Sequence, residues 1–511
     1  MRLEHFPETI RSIIMPSHQG ELYYQCLGCN AEYSIDQLLY TCPSCNQVLL
    51  IFDKKFDELS HRDGKLWQTI FDYRKMLTIP ALKGIYLYHE FIGPMIPIES
   101  IVYLGEGHTP VIEANSLLKK QIGMTFYFKN DGQNPSASFK DRGMASAFSY
   151  LQYLIHKGLA SDILAVCAST GDTSASAALY AAYLKEFVKS AVLLPYKKVT
   201  PQQLSQPLGS GAHVFEIPGV FDDCMKVVEY LSVHYPVALL NSKNAWRILG
   251  QESYAYEIAQ DFEYDMTDIA VIVPIGNAGN ITAILSGFLK FFKTGIIRTL
   301  PKIIGVQSTH ANPVYRYYQE SDPSKRQFKP VVVKPSVAQA AMIGNPVSMP
   351  RVVYLVDEYN RYADSERVFF VEATEQHIMD YQLLANQNGH IACTQGGESL
   401  AGLVMALEKH YVNKNDIAIL DSTAHALKFS NFQDMYFENR FSEEFNICPN
   451  PKMINTPKLI QPQDLKNFPQ PGAPLTGEEF NQFVKRTAEE IAKRLQVTRT
   501  HSSEPQSTNN G

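Results

Sequence analysis

The stretch ILAVCASTGDTSASAALYAAY, residues 163–183, contains the pattern that decides the fold. It starts with the aliphatic run ILAVC, which is typical of a buried strand. A turn of small hydroxylated residues around Gly171 follows, and an alanine-rich segment with the composition of a helix comes next. A strand followed directly by a helix predicts one unit of an α/β fold with a parallel sheet.

The same alternation recurs from about residue 66 to residue 430. Short aliphatic or β-branched runs, each followed by a longer amphipathic segment, lie at residues 163–167, 190–194, 269–273, 303–307 and 417–420. We therefore predict an α/β fold with mainly parallel strands. The longest apolar stretch, residues 269–292, is interrupted by proline, glycine and asparagine, so we expect no membrane span.

The composition limits the possible classes of protein. A chain of 511 residues with 45% hydrophobic and 19% charged residues can bury the cores of two or more domains, which excludes a disordered or fibrous protein. A net charge of -6 gives no basic surface for a nucleic-acid partner. Because charges and prolines interrupt the N-terminal segment, we expect no export signal and a cytoplasmic protein with reduced thiols.

Two CxxC pairs, Cys26 with Cys29 and Cys42 with Cys45, are separated by twelve residues. This spacing is typical of a zinc ribbon, in which four thiolates close a tetrahedron and leave no position for substrate. We predict a zinc-ribbon-like module over residues 1–60 with a structural zinc ion. The alternative is a ribbon that has kept its cysteines without holding metal.

Residues 436–511 differ in character from the preceding chain. The proline-rich run at residues 448–474 predicts an extended segment. Thr476 and Glu479 form a capping-box pattern, and the apolar residues that follow predict an amphipathic helix over residues 477–495. We expect a C-terminal extension with this one helix.

The segment NPSASFKDRGMASAF, residues 134–148, sets Phe139 and Lys140 between a small polar turn and an amphipathic run. A lysine at a helix start is most often a solvated surface residue. Schiff-base chemistry, in contrast, needs an amine that is held rigidly and partly desolvated, and a turn into a helix can supply that position.

The segment VIVPIGNAGNITAILSGF, residues 271–288, has the features of a phosphate cradle. Its glycines let the backbone approach an anion, and the following helix start supplies amides. The turn within residues 168–183 suits an anion such as a carboxylate for the same reason. Neither a Walker lysine nor a GxGxxG pattern is present, which disfavours a nucleotide site.

The segment AILDSTAHALKF, residues 418–429, delivers Ser422, Thr423 and His425 to the end of a late strand. A hydroxyl group here can meet the ring nitrogen of a cofactor. Histidines in such positions are more often core residues than catalysts, so His425 is a weak candidate.

Six blocks occur together in one order and spacing: SFKDRG, ASTGDTSAS, NSKNAWRILGQES, PIGNAGNITA, IGNPVS and STAHALKF. With them the chain resembles threonine synthases, in particular the plant-like branch, which belongs to fold type II of the pyridoxal phosphate enzymes. The resemblance implies a two-subdomain, tryptophan synthase β-like catalytic core over residues 61–435, with a smaller subdomain at about residues 135–235. It also implies pyridoxal phosphate as cofactor, O-phosphohomoserine as substrate and a homodimer.

Carried over residue by residue, the resemblance makes Lys140 the Schiff-base lysine and catalytic base, with Phe139 packed close to the ring. Asp172 would lie near the cofactor hydroxyl and Thr423 would face the pyridine nitrogen. The cofactor phosphate would be held by Gly276, Asn277, Ala278, Gly279 and Asn280. The substrate phosphate would be received by Thr173, Asn241, Ser242 and Arg247, and the substrate carboxylate by Ser169 and Thr170.

The sequence departs from the commoner family pattern at Asp172, where many members have asparagine. A carboxylate there should either take up a proton or weaken binding. The segment ACTQGGESLAG, residues 392–402, also departs from the usual pattern, so no substrate contacts are carried over to it.

Three alternatives to a threonine synthase remain open at this stage. A cysteate synthase would act on phosphoserine, which is one methylene shorter, and one methylene changes binding by only about 1–3 kcal/mol. A threonine or serine dehydratase is disfavoured by Arg247, which argues for a phosphorylated substrate. An inactive scaffold or metabolite sensor is disfavoured by the presence of Lys140.

Overall fold

The structure is a computed structural model that describes residues 1–169, 171–196, 201–219 and 221–498. The chain divides into two compact units, Met1–Met453 and Ile454–Gly511. The domain bounds predicted at residues 60 and 435 stay predictions.

The strands of the first unit are short and mostly buried. They are β1 (Leu22–Cys26), β2 (Glu32–Ser34), β3 (Leu49–Asp53), β4 (Val111–Glu113), β5 (Phe126–Asn130), β6 (Ile163–Ala168), β7 (Val188–Pro195), β8 (His213–Ile217), β9 (Val237–Leu239), β10 (Ile269–Pro274), β11 (Lys302–Ser308), β12 (Val368–Ala373) and β13 (Ile417–Ser422).

These strands form three sheets. A six-stranded sheet has the order β12-β11-β10-β13-β5-β4, and a four-stranded sheet has the order β8-β7-β6-β9. All pairs in these two sheets are parallel except β4 with β5, which is antiparallel. The N-terminal sheet, β2-β1-β3, is antiparallel. The α/β fold with parallel central sheets is confirmed, because each of the five aliphatic runs lies within a parallel strand.

Helices cover both central sheets and join their strands. They are α1 (Glu8–Ile14), α2 (Gly64–Arg74), α3 (His89–Ile92), α4 (Ser116–Ile122), α5 (Lys140–His156), α6 (Asp172–Tyr183), α7 (Pro201–Gly209), α8 (Phe221–His234), α9 (Ala245–Gln251), α10 (Ser253–Asp261), α11 (Gly279–Lys293), α12 (Pro313–Tyr318), α13 (Met349–Ala363), α14 (Glu375–Gln387), α15 (Thr394–Glu408), α16 (Ser430–Phe437) and α17 (Gly477–Arg494). Within the described ranges, none of them combines the length and the apolar character that crossing a bilayer requires.

Helix α5 lies in the interior, and a buried ion-pair network fixes its first turn. The Arg142 guanidinium contacts Asp131 at 2.8 Å and Glu257 at 2.5 Å, and all three side chains are fully buried. Glu257 also contacts the ammonium group of Lys129 at 2.9 Å. Because each buried charge has a partner, the network holds the start of α5 at a defined place between β5 and α10.

In the second unit, the predicted C-terminal helix is confirmed as α17. The predicted capping box is wrong, since the Thr476 side chain makes no capping hydrogen bond. Glu479 instead accepts a hydrogen bond from the Asn467 side chain at 3.2 Å. The Glu479 side chain, which the local pattern assigned to the start of the helix, therefore bonds to Asn467, which is twelve residues away.

Candidate active site

Lys140 is the first residue of α5, and its preceding loop is fixed by hydrogen bonds to the end of β13 and beyond. The Phe139 amide donates to the Thr423 carbonyl at 2.8 Å, and the His425 amide donates to the Ala137 carbonyl at 3.0 Å. The predicted position of the lysine, at a rigid turn into a helix, is therefore confirmed.

The Lys140 amine lies among both positive and negative groups. Burial, and after it the positive charge of Arg247, lower the pKa of Lys140 to about 7, against the opposing effect of Asp172. Its Nζ atom lies 4.0 Å from the centre of the Phe139 ring. An amine with this pKa is largely neutral at pH values just above 7, which is the form that attacks a carbonyl group.

Two glycines bring α5 and α11 against the same helix, α9. A Cβ atom on Gly143 would lie 2.8 Å from Gln251 Nε2 and 3.1 Å from the Arg247 carbonyl oxygen. A Cβ atom on Gly279 would lie 3.3 Å from Ile248 Cδ1. The first turn of α5, which carries Lys140, and the turn at the start of α11 therefore both pack closely against α9.

The turn Gly276–Asn280 leads from β10 into α11. Ala278 has a left-handed backbone (φ 62°), and a Cβ atom on Gly276 would approach Ala341 Cα to 2.9 Å. The Asn280 side chain donates to the Asp421 carboxyl group at 2.6 Å. These contacts orient the turn so that it ends at a helix start, where backbone amides favour an anion.

Arg247 is a buried cation for which the described residues supply no anionic partner. Its side chain donates one hydrogen bond, from Nη1 to the Leu240 carbonyl at 2.9 Å, and its Nε has no partner. No carboxylate within the described ranges pairs with it, and burial lowers the pKa of Arg247 to about 10. An unpaired buried guanidinium is costly, so a bound anion would offset the cost.

The Asn241 side chain is held by the backbone at the end of β6. Its Oδ1 accepts from the Ala168 amide at 3.1 Å, and its Nδ2 donates to the Ala168 carbonyl at 2.6 Å. Asn241 therefore shapes the strand end with its Oδ1 and one of its two N–H groups.

The other residues predicted to contact substrate lie around the starts of α6 and α9. Ser242 and Thr173 are half-buried, and the Ser169 hydroxyl accepts from the Gly171 amide at 3.3 Å. Thr170 lies outside the described residues.

Sequence reasoning missed Lys428. Its Nζ lies 3.1 Å from Asp172 Oδ1, and it donates at 2.9 Å to both the Ser136 carbonyl and the Gln206 side chain. In the sequence, Lys428 is visible only as the lysine within STAHALKF. A lysine on the protein surface would give the same pattern, so the sequence did not reveal its partner. The ammonium group supplies a counter-charge for the buried Asp172 carboxylate.

Cys393 is a second residue that sequence reasoning missed. It caps α15, and its Sγ lies 3.6 Å from the Thr423 hydroxyl. The segment ACTQGGESLAG, which departs from the usual family pattern, thus places its cysteine beside the Thr423 hydroxyl that is predicted to face the ring nitrogen.

The four N-terminal cysteines lie in one cluster, with all sulfur atoms within 4.8 Å of one another. Sγ of Cys26 lies 3.3 Å from Sγ of Cys45, and Sγ of Cys29 lies 3.6 Å from Sγ of Cys42. A tetrahedral zinc site with Zn–S bonds of about 2.3 Å has sulfur-to-sulfur edges of about 3.8 Å, close to this spacing. The cluster therefore has the dimensions of a metal site.

Comparisons with known proteins agree with this geometry. The family described as pyridoxal-phosphate dependent enzyme matches residues 102–422. "Threonine synthase 2, chloroplastic" from Arabidopsis thaliana is 34% identical over 415 residues, which cover 81% of this chain and 77% of the relative. The threonine synthase of Methanocaldococcus jannaschii is 34% identical over 79% of this chain and 92% of its own length.

The chain belongs to the threonine synthase family. Its fold is that of solved family members, since the Escherichia coli threonine synthase aligns with a TM-score of 0.60 at 20% identity, over 84% of this chain and 93% of that one. A threonine deaminase from Solanum lycopersicum shares the fold with a TM-score of 0.51 at 19% identity, over 68% of this chain and 86% of that one. The fold alone therefore does not separate a synthase from a deaminase, and family membership rests on the sequence relatives.

As a member of this family, the chain is a pyridoxal-phosphate-dependent enzyme. The residues present fit that cofactor. Lys140 offers an amine of lowered pKa, and the turn before α11 offers an anion cradle for the cofactor phosphate.

Proposed function

We propose that the chain converts O-phosphohomoserine and water to threonine and phosphate, as a carbon-oxygen lyase. The observation that carries this proposal is the buried Arg247 guanidinium, which has no carboxylate partner among the described residues and lies on α9, the helix that packs against the first turn of Lys140's helix. A hydroxyamino acid carries its α-carboxylate but no anion on its side chain, so it would not supply the second anion that pairs with this cation. The sequence relatives named threonine synthase support the same reaction.

Lys140 carries the proton transfers of the proposed reaction. Bound pyridoxal phosphate supplies an acceptor for the electron pair released at the substrate's α-carbon. The Lys140 amine, whose pKa is lowered to about 7, can therefore both remove and return protons at the substrate's Cα and Cβ atoms. Phosphate then leaves from Cγ, and water adds at Cβ.

The cofactor is held by the residues that the family resemblance assigned. The turn Gly276–Asn280 offers amides for its phosphate at the start of α11. Thr423 would offer a neutral hydroxyl to the ring nitrogen, and Asp172, whose charge is compensated by Lys428, would lie near the ring hydroxyl. A neutral hydroxyl restrains the build-up of charge at Cα, which favours elimination and replacement over transamination. Phe139 lies against the Lys140 amine, where it would border the ring.

The substrate phosphate binds to Arg247, Ser242 and Thr173, and the substrate carboxylate to Ser169 and Thr170. Asn241 contributes by holding Ala168, next to Ser169, because both polar atoms of its amide are engaged there. Arg247 is shielded from bulk solvent before substrate binds, since the residue is only 3% exposed. A phosphate dianion therefore gains a desolvated, charge-assisted contact.

The four cysteines bind one structural zinc ion, which sulfur spacing and the CxxC pattern both support. The homodimer and the cytoplasmic location stay predictions from the sequence.

The decisive experiment measures phosphate release and threonine formation from O-phosphohomoserine by the holoenzyme. Arg247→Ala should raise KM for this substrate at least tenfold, while Arg298→Ala, which removes an exposed arginine, should leave it unchanged. Phosphoserine with sulfite, and threonine alone, serve as competing substrates. Turnover of phosphoserine without threonine formation, or deamination of threonine alone, would reject the proposal.

A further inference from the structure

The N-terminal sheet contacts α9 on both sides of Arg247. Trp246 Nε1 donates to the Tyr24 hydroxyl in β1 at 3.0 Å. Ile248 packs in a small apolar cluster with Leu50 of β3. Both sequence neighbours of Arg247 therefore contact the N-terminal sheet. Trp246 contacts β1, which ends at the first cysteine of the cluster, and Ile248 contacts β3, which follows the last one.

Arg351 of α13 makes a third connection, and it reaches the loop before α9. Its Nε and Nη2 donate to the Leu49 carbonyl of β3 at 3.0 and 2.7 Å. Its Nη1 donates to the Ser242 carbonyl at 3.0 Å, and its Nη2 to the Lys243 carbonyl at 2.9 Å. Arg351 is fully buried and pairs with no carboxylate within the part of the chain described, so uncharged oxygen atoms satisfy it, most of them backbone carbonyls.

Arg351 also connects to the turn before α11. Its Nη1 contacts the Ser348 hydroxyl at 3.1 Å, and the Ser348 amide donates to the Asn277 carbonyl at 3.1 Å. One guanidinium thus links the N-terminal sheet with the loops that carry both proposed phosphate sites.

The cysteine cluster lies at the near end of this connection. Cys26 is the last residue of β1, and its pairing partner across the sheet is Leu49, whose carbonyl holds Arg351. The Leu27 amide donates to the Val48 carbonyl at 3.2 Å, so the first CxxC turn and the start of β3 move together. The positions of the four sulfur atoms therefore determine where the Leu49 carbonyl lies.

The turns of the cluster are built to hold a metal. Asn30 and Asn46 each follow one CxxC pair and have left-handed backbones (φ 58° and 60°). Their backbone amides donate to the Cys26 and Cys42 carbonyls at 3.0 and 2.8 Å, respectively. The Gly28 amide points at Cys26 Sγ from 3.2 Å. Amides aimed at sulfur stabilise thiolates, which are the form that binds zinc.

We infer that zinc bound by Cys26, Cys29, Cys42 and Cys45 acts as a positioning element for the substrate-phosphate site, through Leu49 and Arg351 to the Ser242 loop and through Tyr24 and Leu50 to α9. This inference rests on the proposed function, because it takes Arg247 and Ser242 as the phosphate ligands. Loss of the metal loosens β1 and β3 at their cluster ends, so the phosphate contacts lose preorganisation while the Lys140 turn keeps its own supports.

The test uses the full-length holoenzyme and the double variant Cys29→Ser/Cys45→Ser. Both cysteines are exposed, so the substitution removes two ligands and leaves the buried Cys26 and Cys42 in place. Cys448→Ser, which changes another exposed cysteine, is the matched control. Measured are zinc content by atomic emission, KM and kcat for O-phosphohomoserine, affinity for inorganic phosphate by calorimetry, and the visible absorption band of the cofactor.

The parent and Cys448→Ser should hold one zinc ion per chain and the double variant none. The double variant should show a KM raised roughly tenfold and phosphate affinity lowered by a similar factor, with kcat and the absorption band nearly unchanged. A metal-free parent, or unchanged KM and phosphate affinity after loss of the metal, would overturn the inference.

Arg351→Lys keeps the charge and the zinc ligands but removes the forked geometry, and it tests the connection even when the double variant does not fold. It should retain zinc and reproduce the rise in KM and the loss of phosphate affinity, and normal values for both would also overturn the inference. If the parent makes no threonine, the proposed function fails, whereas the zinc content and the phosphate affinity still decide the coupling.

Discussion

The ammonium nitrogen of Lys428 lies 3.1 Å from the carboxylate of Asp172, at the start of α6. The Asp172 side chain is 2% exposed and that of Lys428 14% exposed, so solvent contributes little to the stability of either charge. The pair connects the segment after β13 with the helix that carries the predicted substrate-carboxylate turn. It also explains how the buried Asp172 carboxylate is tolerated at this position.

Lys428→Met should weaken cofactor binding at least tenfold, because removal of one partner of a buried pair leaves the other charge uncompensated, typically at a cost of about 3–5 kcal/mol. Titration of the apoprotein with pyridoxal phosphate, followed by visible absorbance, measures the affinity. The double variant Asp172→Asn/Lys428→Met removes both charges and should recover most of the affinity. A double variant as weak as Lys428→Met would show that the charge pair is not the cause.

The rate at which the apoprotein captures pyridoxal phosphate should depend on the pKa of Lys140, which burial and Arg247 lower to about 7. Only the neutral amine attacks the aldehyde, so the rate should rise about tenfold per pH unit below pH 7 and level off above it. Stopped-flow absorbance between pH 5.5 and 9 follows the reaction. A rate that keeps rising to pH 9 would mean that the amine has an ordinary, unshifted pKa.

Gly276→Ala should reduce cofactor affinity by about 1–3 kcal/mol, the usual cost of overpacking. The new Cβ atom would lie 2.9 Å from Ala341 Cα and 3.1 Å from the Ala340 carbonyl oxygen, and these are backbone atoms that cannot rotate away. Gly279→Ala is the matched control, since its nearest contact is the flexible end of Ile248 at 3.3 Å. An equal loss of cofactor affinity in the two variants would show that the clash with the backbone of Ala340 and Ala341 is not the cause.

The sequence was sufficient to predict elements whose signals are local. The five aliphatic runs became parallel strands because each is long enough to cross a sheet and apolar enough to be buried between helices. Lys140 was placed correctly at the start of α5 for a similar reason, since the small polar turn and the amphipathic run lie directly beside it.

Groups whose partners are distant in sequence could not be predicted in this way. The Asn241 amide is engaged by Ala168, 73 residues earlier, and the Thr476 capping box is replaced by a bond between Asn467 and Glu479. The partnership of Lys428 with Asp172 likewise depends on how two separate segments pack. No periodicity or spacing encodes such pairs, because the fold must first bring the segments together.

The central claim, that Lys140 binds the cofactor, is tested most directly by borohydride reduction of the holoenzyme followed by peptide mass spectrometry. We expect one pyridoxyl group per chain, on the peptide that contains Lys140, and none after Lys140→Ala. Lys129 is an internal reference, because it is fully buried yet paired with Glu257 at 2.9 Å, and it should remain unlabelled. Label on any lysine other than Lys140, or no covalent label at all, would contradict the account.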